Sequence, residues 1–266
     1  MSPTPGDVFS VADLHYVRVA RQAEIEQRPE LLAVSRGLRL AENSAAWSAD
    51  AVVTHSAEQA ALLRRLVPNA NVHVVPWATP VCPTRVPFAD RHGLAFVGIY
   101  ADAPNLDEAL YLVEEIMPLI WQTDPTIRCT LVGSQMPEAV KHLAQPGVEI
   151  VGHVAHSTEV FDRVRLTVAP LRYGAGLKGR VLASLAAGIP CVMTPIAAEG
   201  LALPPVLQDY VGLDAASLAA PVVQIHGDEA ACRAAAETGV GLVACRFDEA
   251  SVTAALEAAI GLRWAP

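Results

Sequence analysis

The stretch PLRYGAGLKGRVLASLAAGIP at residues 170–190 carries most of the information about the fold and a possible site. Three cations surround three glycines there: Arg172, Lys178 and Arg180 with Gly174, Gly176 and Gly179. Apolar spacing predicts a helix at residues 178–187, closed by a glycine and a proline. Glycines let peptide N–H groups approach a ligand, and the first N–H groups of a helix favour an anion. The stretch therefore predicts a pyrophosphate site where a strand passes into a helix.

Lys178 is central to this prediction because lysine is scarce in the chain. Only Lys141 and Lys178 occur, against 17 arginines. A hydrogen bond from a charged side chain to phosphate contributes about 1.5–3 kcal/mol, more than the roughly 0.3–1 kcal/mol from a helix end. The alternative interpretation is a solvated basic edge on a helix that merely connects two strands.

Two other nucleotide-binding patterns are not matched. Residues 174–181 read G-x-x-x-x-G-R-V, so Arg180 and Val181 replace the lysine and the hydroxyl residue of an ATP-binding P-loop. No G-x-G-x-x-G follows a predicted strand, which argues against a dehydrogenase.

The composition is that of a globular, acidic chain. Of 266 residues, 52% are apolar, and the formal net charge is −9. The length suits one large or two modest domains. No apolar run is long enough to span a bilayer and no signal peptide is evident, so we expect a cytoplasmic protein. The acidic charge argues against nucleic acid as a partner. The five cysteines lie mostly in apolar patterns, so we expect small core residues, and the absence of a C-x-x-C pair gives zinc or redox function little support.

From residue 94 onward, short apolar runs alternate with amphipathic segments. Strands are predicted at residues 95–98, 127–133, 148–152, 166–170 and 190–194. Helices are predicted between them at residues 106–120, 137–143, 158–164 and 178–187. This alternation indicates a doubly wound parallel α/β sheet, in which ligands lie beyond the carboxyl ends of the strands. Gly98, Gly133, Gly152 and the turn at residues 173–179 all fall at that edge.

The helix predicted at residues 106–120 carries two local signals. Asn105 and Glu108 match an N-cap and its capping-box glutamate. Pro118 is expected to end or kink the helix.

The first third of the chain predicts a smaller α/β unit. Strands fit residues 8–12, 51–55 and 72–76, and helices fit residues 29–47 and 57–66. A proline-bearing stretch without periodicity follows. We therefore divide the chain into a partial N-terminal Rossmann-like unit at residues 1–79, a linker at 80–93 and a C-terminal Rossmann-like domain at 94–266. Further helices are predicted at residues 215–226, 228–238 and 248–262, although the run at 220–225 fits a strand equally well.

Several segments share the motifs of a known family. They are FVGIYADAPN at residues 96–105, LVG at 131–133, VGHV at 151–154, the block at 170–190 and AEGL at 198–201. Together they resemble the donor-binding domain of group 1 glycosyltransferases, the retaining class with the two-domain GT-B fold. SADAVVTHS at residues 48–56 and VVP at 74–76 resemble the end of that family's acceptor domain and its hinge.

The resemblance implies a nucleotide-diphosphate sugar bound in the cleft between two Rossmann-like domains, with no metal or other cofactor. Sugar would pass with retention to a carbohydrate or lipid-linked acceptor, in polysaccharide or glycoconjugate synthesis. DLHYVR at residues 13–18 resembles an acceptor-domain loop, which makes His15 the catalytic candidate. The implied substrate-binding residues are Gly98, Gly152, His153, Val154, Tyr173, Gly174, Gly176, Lys178, Arg180, Glu199 and Gly200.

Within that set the resemblance assigns separate roles. Gly98 keeps the first loop open, and the backbone at residues 152–154 contacts the base. Lys178 and Arg180 neutralise the pyrophosphate. Glu199 and the Gly200 N–H lie near the sugar or phosphate.

The chain departs from the family pattern in two respects. Ala175 and Ala183 stand where the family commonly has two glutamates eight positions apart, the second of which holds the ribose hydroxyls. The N-terminal unit is also short, so an upstream domain or partner chain is expected to complete the acceptor half. These departures motivate an alternative, a noncatalytic nucleotide-sugar-binding or structural module. A nucleotide-sugar epimerase is a third interpretation that no motif supports.

Overall fold

A computed structural model describes residues 6–261, which form two parallel sheets with helices around them. The strands are β1 Val8–Val11, β2 Ala51–Thr54, β3 Val72–Val74, β4 Leu94–Ile99, β5 Cys129–Ser134, β6 Val148–Val151, β7 Leu166–Ala169 and β8 Cys191–Met193. The helices as far as residue 141 are α1 His15–Ile25, α2 Leu31–Ser48, α3 Ala57–Leu66, α4 Ala103–Tyr111, α5 Met117–Thr123 and α6 Glu138–Lys141. The remaining helices are α7 Thr158–Phe161, α8 Gly179–Ala186, α9 Pro205–Gln208, α10 Ala215–Gly227, α11 Glu229–Arg246 and α12 Glu249–Ile260.

All strand pairings within the two sheets are parallel. The N-terminal sheet has the order β1-β2-β3, and the C-terminal sheet has the order β6-β5-β4-β7-β8. Successive residues of β4 point to opposite faces: Phe96 packs in the main core, and Ala95 packs in a second cluster with Val160. Because both faces are covered, the strands read as continuous apolar runs. The predicted α/β class with two Rossmann-like units is confirmed.

Residues 13–18 do not form the loop that the resemblance implies, because α1 begins at His15. The N-cap residue Leu14 has no side chain that can accept a hydrogen bond. The carboxylate of Glu42 on α2 accepts instead from the N–H groups of His15 and Tyr16, at 2.9 and 3.3 Å. A distant carboxylate therefore satisfies the helix start, and no local pattern could show it.

The helix after β4 also starts earlier than predicted. Asp102 is its N-cap residue, so the assignment of Asn105 as N-cap is wrong. Asn105 lies inside α4, where its amide nitrogen donates to the carbonyl of Ile99 at 2.8 Å. A π-helical turn at Leu112–Ile116 separates α4 from α5, and Pro118 lies in the first turn of α5. The interruption of the helix that we expected near Pro118 is therefore present. Proline is tolerated in the first turn of a helix because an N–H group there would have no partner within the helix.

The C-terminal helices return the chain to the first sheet. Residues 220–225 are helical within α10, and α11 runs further than the predicted end at residue 238. Ala259 of α12 packs with Val53 and Val75 of the N-terminal unit. The predicted helix end at residue 262 lies outside the described residues. Among residues 6–261, no helix has both the length and the apolarity to cross a membrane.

The segment joining the two sheets lies along the C-terminal unit. The N–H groups of Thr79, Cys82 and Thr84 donate to the carbonyls of Phe247, Ala186 and Ala187, at 2.8–3.0 Å. These backbone hydrogen bonds hold the predicted linker in place although it has almost no regular structure.

Gly133 is the backbone position at which the C-terminal sheet tolerates no side chain. Its φ is +151°, and a Cβ there would stand 1.7 Å from the carbonyl oxygen of Gly98 on the neighbouring strand. We expect Gly133→Ala to lower the free energy of unfolding by at least about 3 kcal/mol, from strain and overpacking together. Chemical denaturation measures this.

The matched control is Gly152→Ala, since nothing lies within 4 Å of a Cβ built at that glycine. It should leave the denaturation midpoint nearly unchanged. Equal destabilisation by the two substitutions would contradict the packing argument.

Candidate functional site

A cavity of about 630 Å³ opens at the carboxyl ends of β4 and β5, between the two units. This volume lies within the range of roughly 300–1,000 Å³ that small-molecule sites occupy. The N-terminal unit contributes Ala12, Asp13 and Arg18 to its wall, and Trp77 comes from the connecting segment. The C-terminal unit supplies the glycines Gly98, Gly133, Gly174 and Gly179 and the cations Lys178 and Arg180. The cavity therefore lies where parallel α/β sheets place ligands.

Half of the predicted site residues line this cavity. They are Gly98, His153, Val154, Gly174, Lys178 and Arg180. The structure places the other predicted residues outside the cavity wall: His15, Gly152, Tyr173, Gly176, Glu199 and Gly200. Most of this second group lies instead at the contact between the two units.

Lys178 is the N-cap residue of α8, and its ammonium points into its own glycine-rich turn. Nζ donates to the carbonyl of Gly176 at 2.8 Å and also to the carbonyl of Ala175. Burial lowers the pKa of Lys178 to about 8, while the nearby Glu199 carboxylate acts in the opposite direction. A largely desolvated cation beside the first N–H groups of a helix can bind an anion from two sides.

Arg180, one residue into α8, lines the cavity but is already paired on its inner side. Its guanidinium donates to Oδ1 of Asn105 and to Oε1 of Glu108, both on α4. It also lies over the ring of Phe96, 5.3 Å from the centroid. Each terminal guanidinium nitrogen carries two hydrogens, so one on each remains for another acceptor. Arg180 is thus a held cation, and its role toward a phosphate stays a prediction.

Glu108 is a residue whose position sequence reasoning missed. Its side chain is 0% exposed, and burial raises its pKa to about 7 against the opposing effect of Arg180. The capping-box interpretation failed because α4 starts two residues before Asn105. The sequence feature that could have revealed its position is a glutamate three residues after an asparagine and about one turn into an apolar helix.

The glycine-rich turn is also held from the N-terminal unit. Arg21 of α1 donates to the carbonyl of Gly174 at 2.5 Å and to Oε1 of Glu199 at 2.6 Å. The hydroxyl of buried Tyr173 donates to Glu26 at 3.0 Å. These contacts explain why Tyr173 and Glu199 lie outside the cavity wall, since both face α1. No sequence pattern indicated this role for Arg21.

Gly176 and Gly200 have backbone roles at the same contact. Gly176 has φ +73°, and a Cβ there would stand 2.6 Å from the carbonyl of Ala12. With its amide oriented to satisfy all its neighbours, Gln59 accepts from the Gly176 N–H at 3.1 Å. A Cβ at Gly200 would stand 2.9 Å from Ser56. The glycines therefore allow the two units to approach closely.

His15 lies beside the cavity, between two carboxylates. Its Nε2 is 3.1 Å from Asp13 and its Nδ1 is 3.3 Å from Glu42, and half of the side chain is exposed. Asp13, rather than His15, faces the cavity, together with Arg18, which is 3.4 Å from the same carboxylate. Asp13 and Arg18 both belong to the DLHYVR stretch. The sequence therefore indicates the right segment, but it does not indicate which of its side chains face the cavity.

Comparison with known proteins assigns the class. Residues 91–228 match the family described as glycosyl transferases group 1, which is just over half of the chain. The chain therefore belongs to that family. Comparison with curated proteins by sequence gives no match.

Solved structures show the same architecture at low identity. S. aureus TarM with UDP aligns with a TM-score of 0.74 and 10% identity, over 85% of this chain and 47% of that one. Sucrose-phosphate synthase from Thermosynechococcus elongatus aligns at 0.71 and 20% identity, over 94% and 65%. Anabaena HepE with UDP-glucose aligns at 0.70 and 13% identity, over 96% and 72%. These neighbours are GT-B glycosyltransferases, and the chain spans less than two thirds of the first two.

Arg21 provides a test of the contact between the units. Arg21→Ala removes two hydrogen bonds of a charged donor, one to a carbonyl and one to a carboxylate. Such bonds contribute about 1.5–3 kcal/mol when buried, and partial exposure reduces this. We expect the free energy of unfolding to fall by about 1–2 kcal/mol in urea denaturation.

The control is Arg36→Ala, an exposed arginine on α2. It should shift the urea midpoint far less. If both variants unfold at the wild-type midpoint, Arg21 does not join the units.

Proposed function

We propose that the chain binds a nucleotide-diphosphate sugar in this cavity and takes part in transferring the sugar to an acceptor with retention. Membership of the group 1 glycosyltransferases supports sugar transfer in general. The observation that carries the finer proposal is the position of Lys178, a cation at the start of α8 that lines a cavity of ligand size and whose pKa is lowered by burial.

The charges around the cavity suit a diphosphate leaving group. Cleavage of the sugar–phosphate bond leaves additional negative charge on the diphosphate. The α8 N-terminus, Lys178 and the remaining hydrogens of Arg180 are fixed donors in one cavity wall, and such preorganised donors stabilise charge as it develops. In this proposal no metal or other cofactor is needed to balance that charge.

The names of the structural neighbours support the donor class. HepE was solved with UDP-glucose, and TarM was solved with UDP. In this chain Ala183 packs in an apolar cluster, so no carboxylate at that position can hold a ribose. We therefore propose that base and ribose are held by the segment at residues 152–154, of which His153 and Val154 line the cavity.

The acceptor side of the proposal involves the N-terminal unit. Asp13 and Arg18 form the wall that an acceptor would face, with His15 behind Asp13. We propose a carbohydrate or lipid-linked acceptor, a role in polysaccharide or glycoconjugate synthesis, and a cytoplasmic location. An upstream domain or partner chain would supply the rest of the acceptor half.

A noncatalytic nucleotide-sugar-binding module is the second candidate. Ala175 and Ala183, in place of the two glutamates of the family pattern, favour it. Calorimetric titration with a panel of nucleotide sugars tests binding, and an assay for released nucleotide diphosphate separates enzyme from binding module. The anomeric configuration of any product, read by NMR, tests retention. No binding to any member of the panel would refute both candidates.

Lys178→Ala should weaken donor binding by about 1.5–3 kcal/mol while the fold persists, because a charged donor is lost. Lys141→Ala is the control, since Lys141 is exposed and pairs with Glu138 at 2.7 Å. Calorimetry of both variants gives the comparison. Unchanged affinity in Lys178→Ala at moderate salt would show that the turn does not hold the diphosphate.

The lowered pKa of Lys178 predicts a pH dependence of binding. With a pKa of about 8, the side chain is charged below about pH 7 and neutral above about pH 9. Donor affinity should therefore fall as pH rises through 8, because the neutral amine loses its attraction for phosphate. Lys178→Arg stays charged throughout and should show a smaller fall. An identical slope for wild type and Lys178→Arg would contradict this.

A further inference from the structure

Beneath the cavity lies a buried carboxylate that the proposed function does not use. Glu108 on α4 is 0% exposed and pairs with Arg180. A buried charge is costly unless an opposite charge and hydrogen bonds compensate it. Glu108 therefore needs Arg180, and anything that draws charge from Arg180 changes the state of Glu108.

Arg180 is held by a short chain of polar contacts. The Ile99 carbonyl accepts from Asn105, Asn105 accepts from Arg180, and Arg180 donates to Glu108. This chain runs from the end of β4 through α4 to the first turn of α8. It fixes the guanidinium through one hydrogen of each terminal nitrogen and leaves the second hydrogen of each for an acceptor in the cavity that Arg180 lines.

The pair is incompletely satisfied. Within residues 6–261, Oε2 of Glu108, Nε of Arg180 and the hydroxyl of Tyr100 are buried without a hydrogen-bond partner. An unpaired carboxylate oxygen in a site of low polarity is a place where a proton is readily accepted. The geometry thus offers Glu108 two states, a carboxylate paired with Arg180 and a neutral acid beside it.

We infer that Glu108 positions Arg180 for the diphosphate and takes up a proton when the diphosphate binds. The inference rests on the proposed function, because it needs two negative charges to enter the cavity beside Arg180. Those charges compete with Glu108 for the guanidinium and repel its carboxylate. A proton from solvent then neutralises Glu108, and Arg180 keeps its orientation through Asn105.

The surroundings of Glu108 contain few groups that could take up this proton instead. The charged or titratable groups near it are Arg180, Lys178 and Asp107, with Tyr100, Cys129 and Cys191 in the same buried region. Burial raises the pKa of Tyr100, Cys129 and Cys191, so these three already hold their protons at neutral pH. Asp107 is bonded to Arg172. Lys178 is mostly charged near pH 7.

The test is calorimetric titration of UDP-glucose at about pH 7 in buffers of different ionisation enthalpy, since the dependence on buffer gives the protons taken up. UDP-glucose is chosen because its phosphates do not titrate there. At pH 7 wild type should take up about half a proton per ligand, because a group with a pKa of about 7 is already half protonated there, and its affinity should fall by up to about tenfold per pH unit above pH 7. Glu108→Gln keeps an acceptor for Arg180 but cannot titrate. It should take up almost none and should bind more tightly than wild type at pH 8.

Asp107→Asn is the matched control, one position along the same helix, and should keep the proton uptake of wild type. A purely structural role for Glu108 would weaken binding at every pH and leave the proton count unchanged, which would overturn the inference.

If Glu108→Gln does not fold, infrared difference spectra of wild type labelled with ¹³C-glutamate replace it. A protonated carboxyl band should appear on adding UDP-glucose, and its absence overturns the inference. If wild type binds no nucleotide sugar, the proposed function fails first and the inference fails with it. Binding without proton uptake overturns only the inference.

Discussion

The structure depends on how the turn at residues 170–179 is constrained between the two sheets. The end of β7 and the start of α8 fix it from the C-terminal unit, and Arg21, Glu26 and Gln59 fix it from the N-terminal unit. Because the turn is held from both sides, Lys178 is kept in a largely buried position in the wall of the cavity. The same contacts join the two units, so the site and the arrangement of the units share one set of interactions.

The cost of burying Lys178 shows why this constraint matters. Desolvation lowers the pKa of the ammonium, and two carbonyl oxygens and the Glu199 carboxylate only partly offset that cost. A cation that is incompletely compensated in the protein gains more from an incoming anion than a solvated surface lysine does. Burial thus reduces the stability of the isolated chain and strengthens its interaction with a negatively charged ligand.

Local sequence patterns predicted the helices and strands that depend on neighbouring residues in the chain. Apolar runs and turn residues predict the five strands of the C-terminal sheet, the start of α8 and the glycines at the carboxyl ends of the strands. The structure contains all of these. The failures involve partners far apart in the chain. Glu42 caps α1 from 27 residues away, and Arg21 reaches Glu199 across 178 residues. Neither pairing leaves a periodic or motif signal, because each depends on how complete elements pack.

The position of Glu108 connects this limit to the chemistry of the site. The chain has alanine at the two positions where the family pattern places glutamates, yet a carboxylate from α4 reaches Arg180 from beneath the cavity. From the sequence alone, the absence of these two glutamates suggests a site with excess positive charge. The structure instead shows one of the two cations paired with a buried acid, which leaves Lys178 with the larger share of the unbalanced charge. Charge at this site is therefore set by residues distant in sequence, and composition within the glycine-rich stretch does not determine it.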